Sequence, residues 1–258
     1  MQKKQPEWHE QWTMLQDEEE FLFNEWILPN TLDDFKDKEV LECGCGGGQH
    51  TMFVAPYAKR ITAVDLNTTD LAKERNSKFE NVEFIEADIA QMDLGKQFDI
   101  VFSIGVVHHT DNPNTTAMNM AKHVKPGGRL IFWVYSEEGN AMVRYIVEPI
   151  RKVFLTKMSR KNLLKLSKII TFLMYIPIYT IYILPLKFLP FLEYFQNFRR
   201  MTFYRNTLNV FDKLNAPQVD FISKQRITNW FAVEFENIDI SLYKGVSWSG
   251  SGTKIKTF

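Results

Sequence analysis

The feature that most constrains this chain is a glycine loop set between an apolar run and an amphipathic stretch. Val40, Leu41, Glu42 and Cys43 lead directly into Gly44, Cys45, Gly46, Gly47 and Gly48, and Gln49 and His50 open the segment that follows. An apolar run that enters glycines and leaves as a helix is a strand, a tight turn and a helix, the unit from which parallel sheets are built. Glycines at such a turn let the backbone approach a ligand closely, and the helix start presents free N–H groups to an anionic group. The dinucleotide-binding pattern G-x-G-x-x-G needs glycine at its sixth position, where Gln49 stands. That disfavours a nicotinamide-dependent dehydrogenase.

The alternation continues along the chain. Short apolar runs predict strands at 39–43, 60–66, 82–87, 98–105 and 129–135, with helices near 49–58, 68–79 and 114–124. Lys125, Pro126, Gly127 and Gly128 predict a turn ending the last of these helices. Residues 7–28 predict one or two amphipathic helices whose Trp and Phe pack inward. After residue 136 the alternation stops, and it returns with a helix at 223–234 and strands at 235–243 and 248–256. Three units are expected: 1–136 as N-terminal helices and sheet core, 137–222 as a helical insertion, and 223–258 completing the sheet.

Two further strand ends carry acids. The second closes on Asp65 and Leu66, where a carboxylate beside the glycine loop would accept hydrogen bonds from both hydroxyls of a ribose. The third closes on Asp88 and Ile89, where an acid can take an adenine amino group and an aliphatic side chain can lie on the ring.

In this order, E-C-G-C-G-G-G, A-V-D-L, E-A-D-I, F-D-I-V-F-S-I-G-V-V-H-H and V-K-P-G-G-R-L-I-F-W-V-Y resemble the successive motifs of class I S-adenosylmethionine-dependent methyltransferases over residues 39–135. The resemblance implies an α/β, Rossmann-like fold: a seven-stranded, mostly parallel sheet with the last strand antiparallel. It assigns Asp65 to ribose, Asp88 to adenine, and Gly44 and Gly46 to the methionyl side. It places Glu42 under the loop or at the cofactor's amino group. Cys45, Gly48, Leu66, Ile89 and Ser103 complete the expected cofactor set, with S-adenosylmethionine as cofactor and S-adenosylhomocysteine as product.

Methyl transfer from a sulfonium is an in-line displacement, so acceptor positioning and water exclusion come first and a base serves only some acceptors. The residues after the fourth strand should open onto the methyl group. His109 is the first candidate base or acceptor contact, with His108, Asp111 and Tyr135 behind it and Glu137 as a substrate contact. His9, His50 and His123 have no partner at metal-ligand spacing, so no metal is expected.

Residues 1–135 hold 13 Lys and Arg against 22 Asp and Glu, and the remainder holds 18 against 9. Between Arg144 and Arg205 there are twelve basic residues and two acids, and 169–186 is uncharged for eighteen residues. The insertion is read as a helical cap roofing the acceptor site with its basic residues outward. The alternative is a membrane-surface element across 144–205, since Pro177 and Pro185 argue against a simple span. No nucleic-acid module is visible, so nucleic acid is not an expected partner. A segment containing Asn209, Phe211, Asp212 and Leu214, then Trp230 and Phe231, then Ser247, Trp248, Gly250 and Gly252, resembles bacterial methyltransferases with F-D-x-L-x-P-P, W-F and N-S-W-x-G-x-G motifs, associated with surface-glycan biosynthesis. On that basis Arg199, Arg200 and Arg205 are candidates to grip a small anionic substrate.

The best expectation is O-methylation of a sugar, nucleotide-sugar or phosphate-bearing metabolite. A lipid or quinone-precursor methyltransferase at the membrane surface and a non-catalytic cofactor-binding partner protein are the alternatives. Only Cys43 and Cys45 are present and the first residues lack the apolar core of a signal peptide, which fits a cytoplasmic protein, peripheral to the inner membrane face on the alternative reading.

Overall fold

A computed structural model describes residues 5–256. β1 (Glu39–Cys43), β2 (Arg60–Asp65), β3 (Val82–Glu86), β4 (Phe98–Ile104), β5 (Val124–Tyr135), β6 (Phe235–Tyr243) and β7 (Ser247–Lys254) form one sheet in the order β3-β2-β1-β4-β5-β7-β6. β1 to β5 pair in parallel, and β7 runs antiparallel to both β5 and β6. The fold class matches the expectation.

Each central strand is covered on both faces, which is why its sequence is nearly continuously apolar. In β1, Val40 packs with Trp26, Phe35 and Phe53 on one side, and Leu41 and Cys43 pack with Val64, Met120 and Phe231 on the other. Cys43 pairs with Val64, and Gly44 N–H donates to Val64 O at 2.7 Å, so the glycine loop lies level with the end of β2. Asp65 in turn pairs with Glu86. Three strand ends are thus aligned at the carboxyl edge, where open α/β sheets bind ligands.

α1 (Pro6–Met14), α2 (Glu20–Trp26), α3 (Gln49–Val54), α4 (Thr69–Arg75) and α5 (Pro113–Lys122) surround this half. α3 and α4 are shorter than expected. The carbonyls of Ala55 and Ala58 past α3 are taken by the Asn81 side chain, and Asn76 after α4 ties back to Gly48 and Ala72. β5 begins five residues before the expected start. Val124 pairs with Phe98 and Arg129 with Ile100, so Lys125 to Gly128 form a bulge inside the strand rather than a turn outside it.

The segment 137–222 leaves and rejoins the sheet at one point: Ile222 N–H donates to Tyr135 O and Glu137 N–H to Ile222 O, both at 2.9 Å. It holds α6 (Glu148–Ile150) between π-wound turns Val143–Val147 and Arg151–Leu155, then α7 (Arg160–Thr180), α8 (Leu192–Phe198) and α9 (Phe203–Asn215). Leu155 and Leu163 pack with Leu208, Phe211 and Leu214 of α9 in a third apolar cluster, which also takes in Leu15. The expectation that basic residues all face outward fails at two positions. Arg151 is wholly buried and bidentate on Glu148 at 2.9 and 2.7 Å, and Arg205 is buried against Asp17. An interior guanidinium is stable only when so paired. α10 (Lys224–Phe231) precedes the closing hairpin.

Candidate active site

A cleft lies at the carboxyl edge, under α1 and α9, and runs from the glycine loop to Asp212.

At one end the walls are Gly44, Gly46, Asp65, Leu66, Asp88 and Ile89. Gly44 has φ +82°, and a Cβ there would stand 2.4 Å from Val106. Asp65 is held by three backbone N–H groups: Gly46 on one oxygen at 3.0 Å, and Asn67 and Thr68 on the other at 2.7 and 3.2 Å. Burial pushes its carboxyl up, and those N–H bonds oppose the shift. Asp88 accepts from Ala90 N–H at 3.0 Å, which closes the turn after β3. The carboxylates at the ends of β2 and β3 face one space with the glycine loop, the arrangement that suits a ribose, an adenine and a backbone-cradled tail.

At the other end the walls are Trp26, Trp133, Tyr135, Arg205, Asn209 and Asp212, with His109 between the two ends. His109 Nδ1 contacts Gln218 O at 2.8 Å. A carbonyl only accepts, so Nδ1 carries the hydrogen and Nε2 the lone pair. Burial holds this imidazole below its usual pKa, so it is neutral near pH 7. Tyr135 O–H donates to Asp212 Oδ2 at 2.8 Å, and Gln11 Nε2 donates to Oδ1 at 3.0 Å. Burial, and then Asp212, push the Tyr135 phenol well up. Arg205 pairs with Asp17 at 2.9 Å and donates to Asn209 Oδ1 at 2.5 Å.

Of the expected site residues, Gly44, Gly46, Asp65, Leu66, Asp88, Ile89, His109, Tyr135 and Arg205 line the cleft. Cys45, Gly48 and Ser103, expected as cofactor contacts, do not line the cleft, and Glu42 takes the first of its two expected places, under the loop. Glu42 is buried, accepts from Thr51 Oγ1, and has its other oxygen 4.0 Å from His50 Nδ1. Burial pushes its carboxyl up to about 8. Cys45 is turned into the apolar core, and burial raises its thiol well above the usual value. Gly48 starts α3 at φ +78° against Ala72, and Ser103 Oγ donates to Cys43 O at 2.7 Å, stitching β4 to β1.

On the acceptor side, His108 is fully buried between His109 and Tyr135, which removes it from the cleft wall. Asp111 is exposed and clamps Gln218, the residue that orients His109. Glu137 pairs with Arg144. Arg199 lies outside the cleft, and Arg200 is spent on Glu25 and on the face of Phe21. Neither can grip a ligand from there.

Sequence reasoning missed four tryptophans, of which Trp133 of β5 forms part of the acceptor wall. Trp8 and Trp12 of α1 and Trp26 of α2 line the cleft instead of only packing, and α1 is held across it as Gln5 N–H donates to Asn67 and Gln11 reaches Asp212. Asp212 was visible only as a motif member. Its role follows from α9 folding back over Tyr135, which no local pattern encodes. Among the described residues no cluster of His, Cys, Asp or Glu could hold a metal ion.

Residues 41–132 match a family model described as a methyltransferase domain. Over 121 residues, 45% of this chain, it is 28% identical to the ubiquinone biosynthesis O-methyltransferase of Rickettsia conorii, and the match spans 41% of that relative's length. It is 32% identical to the protein of the same name from Rickettsia akari over 99 residues, 36% of this chain and 38% of the relative. The chain thus spans about two fifths of the curated relatives it matches. Its fold is similar to that of N-methyltransferase NodS from Bradyrhizobium japonicum WM9, solved in complex with S-adenosylhomocysteine: the TM-score is 0.54 at 13% identity, covering 96% of this chain and 98% of the other.

Proposed function

We propose that this chain, whose residues 41–132 match a methyltransferase domain model, is a class I methyltransferase that transfers a methyl group from S-adenosylmethionine to an oxygen of a small-molecule acceptor. The observation that carries the proposal is a single cleft joining Asp65, Asp88 and the glycine loop to His109 and Tyr135. Bound in that cleft, S-adenosylmethionine would supply an electrophilic methyl group on a sulfonium.

The chain's own residues would do the rest. Asp65 accepts the ribose hydroxyls, with its orientation already fixed by Gly46, Asn67 and Thr68 N–H. Asp88 takes the adenine amino group, and Leu66 and Ile89 cover the ring. His109, with its lone pair on Nε2, accepts the proton of an acceptor hydroxyl as the oxygen attacks. Asp111, through Gln218, holds the His109 tautomer. Trp8 and Trp12 of α1 close the cleft and exclude water.

The acceptor end favours the lipid or quinone-precursor class, a flat apolar compound bearing a hydroxyl. Trp26, Trp133, Tyr135 and Leu208 supply an aromatic and apolar wall, while Arg205, the one cleft arginine among the described residues, is committed to Asp17 and Asn209. A phosphate would meet no uncommitted guanidinium there. The names of the ubiquinone-pathway relatives point the same way. A neutral sugar acceptor in surface-glycan biosynthesis is the second reading, favoured by Asn209 and Asp212 beside the aromatic wall.

Calorimetry should show S-adenosylmethionine binding and no response to nicotinamide cofactors. Incubation with isotopically labelled S-adenosylmethionine and a panel of catechols, phenols and nucleotide sugars, read by mass spectrometry, then identifies the acceptor. A labelled O-methyl catechol or phenol supports the first reading and a labelled sugar the second. Cofactor binding with no labelled product from the panel or from a cell extract overturns the enzyme assignment in favour of a non-catalytic binding protein.

A further inference from the structure

The outer face of α7 lies outside the cleft. Leu163, Ser167, Thr171 and Ile178 of this helix are buried, and Leu163 meets Leu208 and Phe211 of α9. The opposite face divides by chemistry along its length. Lys161, Lys165 and Lys168 stand exposed on the N-terminal half. Ile169, Phe172, Leu173, Ile176 and Tyr179 stand exposed on the C-terminal half, Phe172 by 65% and Ile176 by 59%. Past the helix, Ile183, Leu184 and Phe188 continue the apolar side around Lys187, with Phe188 79% exposed. α7 contains no acidic residue.

We propose that this face rests on an anionic lipid bilayer, its apolar half at the boundary between headgroups and acyl chains and its lysines on the lipid phosphates. Large apolar side chains recurring over successive turns of one exposed face mark an interaction site rather than ordinary surface. The adjoining positive charge of one sign selects a polyanionic, deformable partner. A two-fold contact between copies of this chain through the same face would bring no acid of α7 to meet the lysines.

The helix lies on the membrane and does not cross it. α7 is long and apolar enough to span by composition. However, spanning would strip its inner face from α9 and expose Leu208, Phe211 and Leu214, and Pro177 already breaks the ladder in its last turns. The adjoining side of α9 lines the cleft through Arg205, Asn209 and Asp212. One helix therefore separates the lipid surface from the acceptor end. The inference stands independently of which acceptor is methylated.

Flotation of the purified full chain with vesicles tests it, comparing phosphatidylglycerol mixed with phosphatidylcholine against phosphatidylcholine alone. The chain should float with the anionic vesicles at low salt and much less at high salt. Replacing Lys161, Lys165 and Lys168 by Gln should lower the partition coefficient about fivefold per lysine, about a hundredfold in all. Phe172→Glu combined with Ile176→Glu should abolish flotation. All five side chains are exposed, so melting temperatures should stay at the parent value and show that the variants fold. No flotation of the parent at low salt overturns the proposal, as does flotation that neither variant changes. Self-association in sedimentation velocity that the Phe172, Ile176 variant abolishes, without vesicle binding, assigns the face to a second copy and also overturns it.

Discussion

The two ends of the cleft are built by different means. At the cofactor end, residues close in sequence do the work through the backbone: Gly46, Asn67 and Thr68 N–H fix Asp65. At the acceptor end, side chains meet across the chain: Tyr135 finds Asp212 77 residues away, and Gln11 reaches Asp212 from 201 residues away. A backbone cradle depends on glycine geometry and persists whatever ligand chemistry is grafted beside it. A side-chain wall is set by which helices lie over it, so it is where specificity can change without disturbing cofactor binding.

If the ends are separable, variants should affect one and spare the other. His109→Ala should lower kcat by about 10²–10⁴ fold while leaving the S-adenosylmethionine Kd within about twofold. Calorimetry beside steady-state kinetics checks this, and a large change in Kd would join the two ends. Because burial holds His109 below its usual pKa, the acid limb of the parent's pH–rate profile should lie below about pH 6.5 and vanish in the variant.

Glu42 lies buried behind the loop and touches neither end of the cleft. Its pKa of about 8 exceeds the ordinary carboxyl value of 4.5 because burial penalises the charged form, so stability is highest below pH 4.5 and is lost as pH rises from 4.5 through 8. Glu42→Gln should remove this slope and make the cofactor-free chain more stable at pH 8 by an amount on the order of 4 kcal/mol. Denaturant unfolding at several pH values measures it, and an unchanged slope would sink the prediction. His50, held at about 4, has the opposite sign, its contribution fading as pH falls from about 6.5 through 4.

Asp65→Ala should weaken S-adenosylmethionine binding by roughly 2–4 kcal/mol through the loss of charge-assisted ribose hydrogen bonds. An unchanged affinity would remove Asp65 from the cofactor end. The smallest effect is expected from Tyr135→Phe, which deletes one donor to Asp212 and should raise the acceptor KM by a factor equivalent to about 1–2 kcal/mol with cofactor affinity unchanged. An equal loss at both ends would show that the aromatic wall also shapes the cofactor pocket.

Much of the sheet was legible because burial on both faces forces apolar runs, and because glycines and acids at strand ends stand out against them. The extra length of β5 was not, since the bulge at Lys125 to Gly128 has the composition of a turn and only pairing between Val124 and Phe98 makes it strand. Glu42 and Ser103 sit at motif positions, yet the pleat turns them behind the loop. The candidate anion grip dissolved for a related reason: Arg199 lies away from the cleft, and Arg200 and Arg205 are taken up by Glu25 and Asp17, acids from the N-terminal segment that no spacing pairs with them.

By itself the sequence determined the strand-loop-helix order, the acids at the ends of β2 and β3, and an insertion that is both basic and apolar. These are local signals, written in periodicity, glycine placement and charge. Only the tertiary structure decided that α1 and its tryptophans close the cleft, that Asp212 anchors Tyr135, and that the outer face of α7 divides into lysines and bare apolar side chains. Such choices depend on which faces of distant helices bury each other, and the free energy that settles them resides in long-range packing rather than in any segment alone.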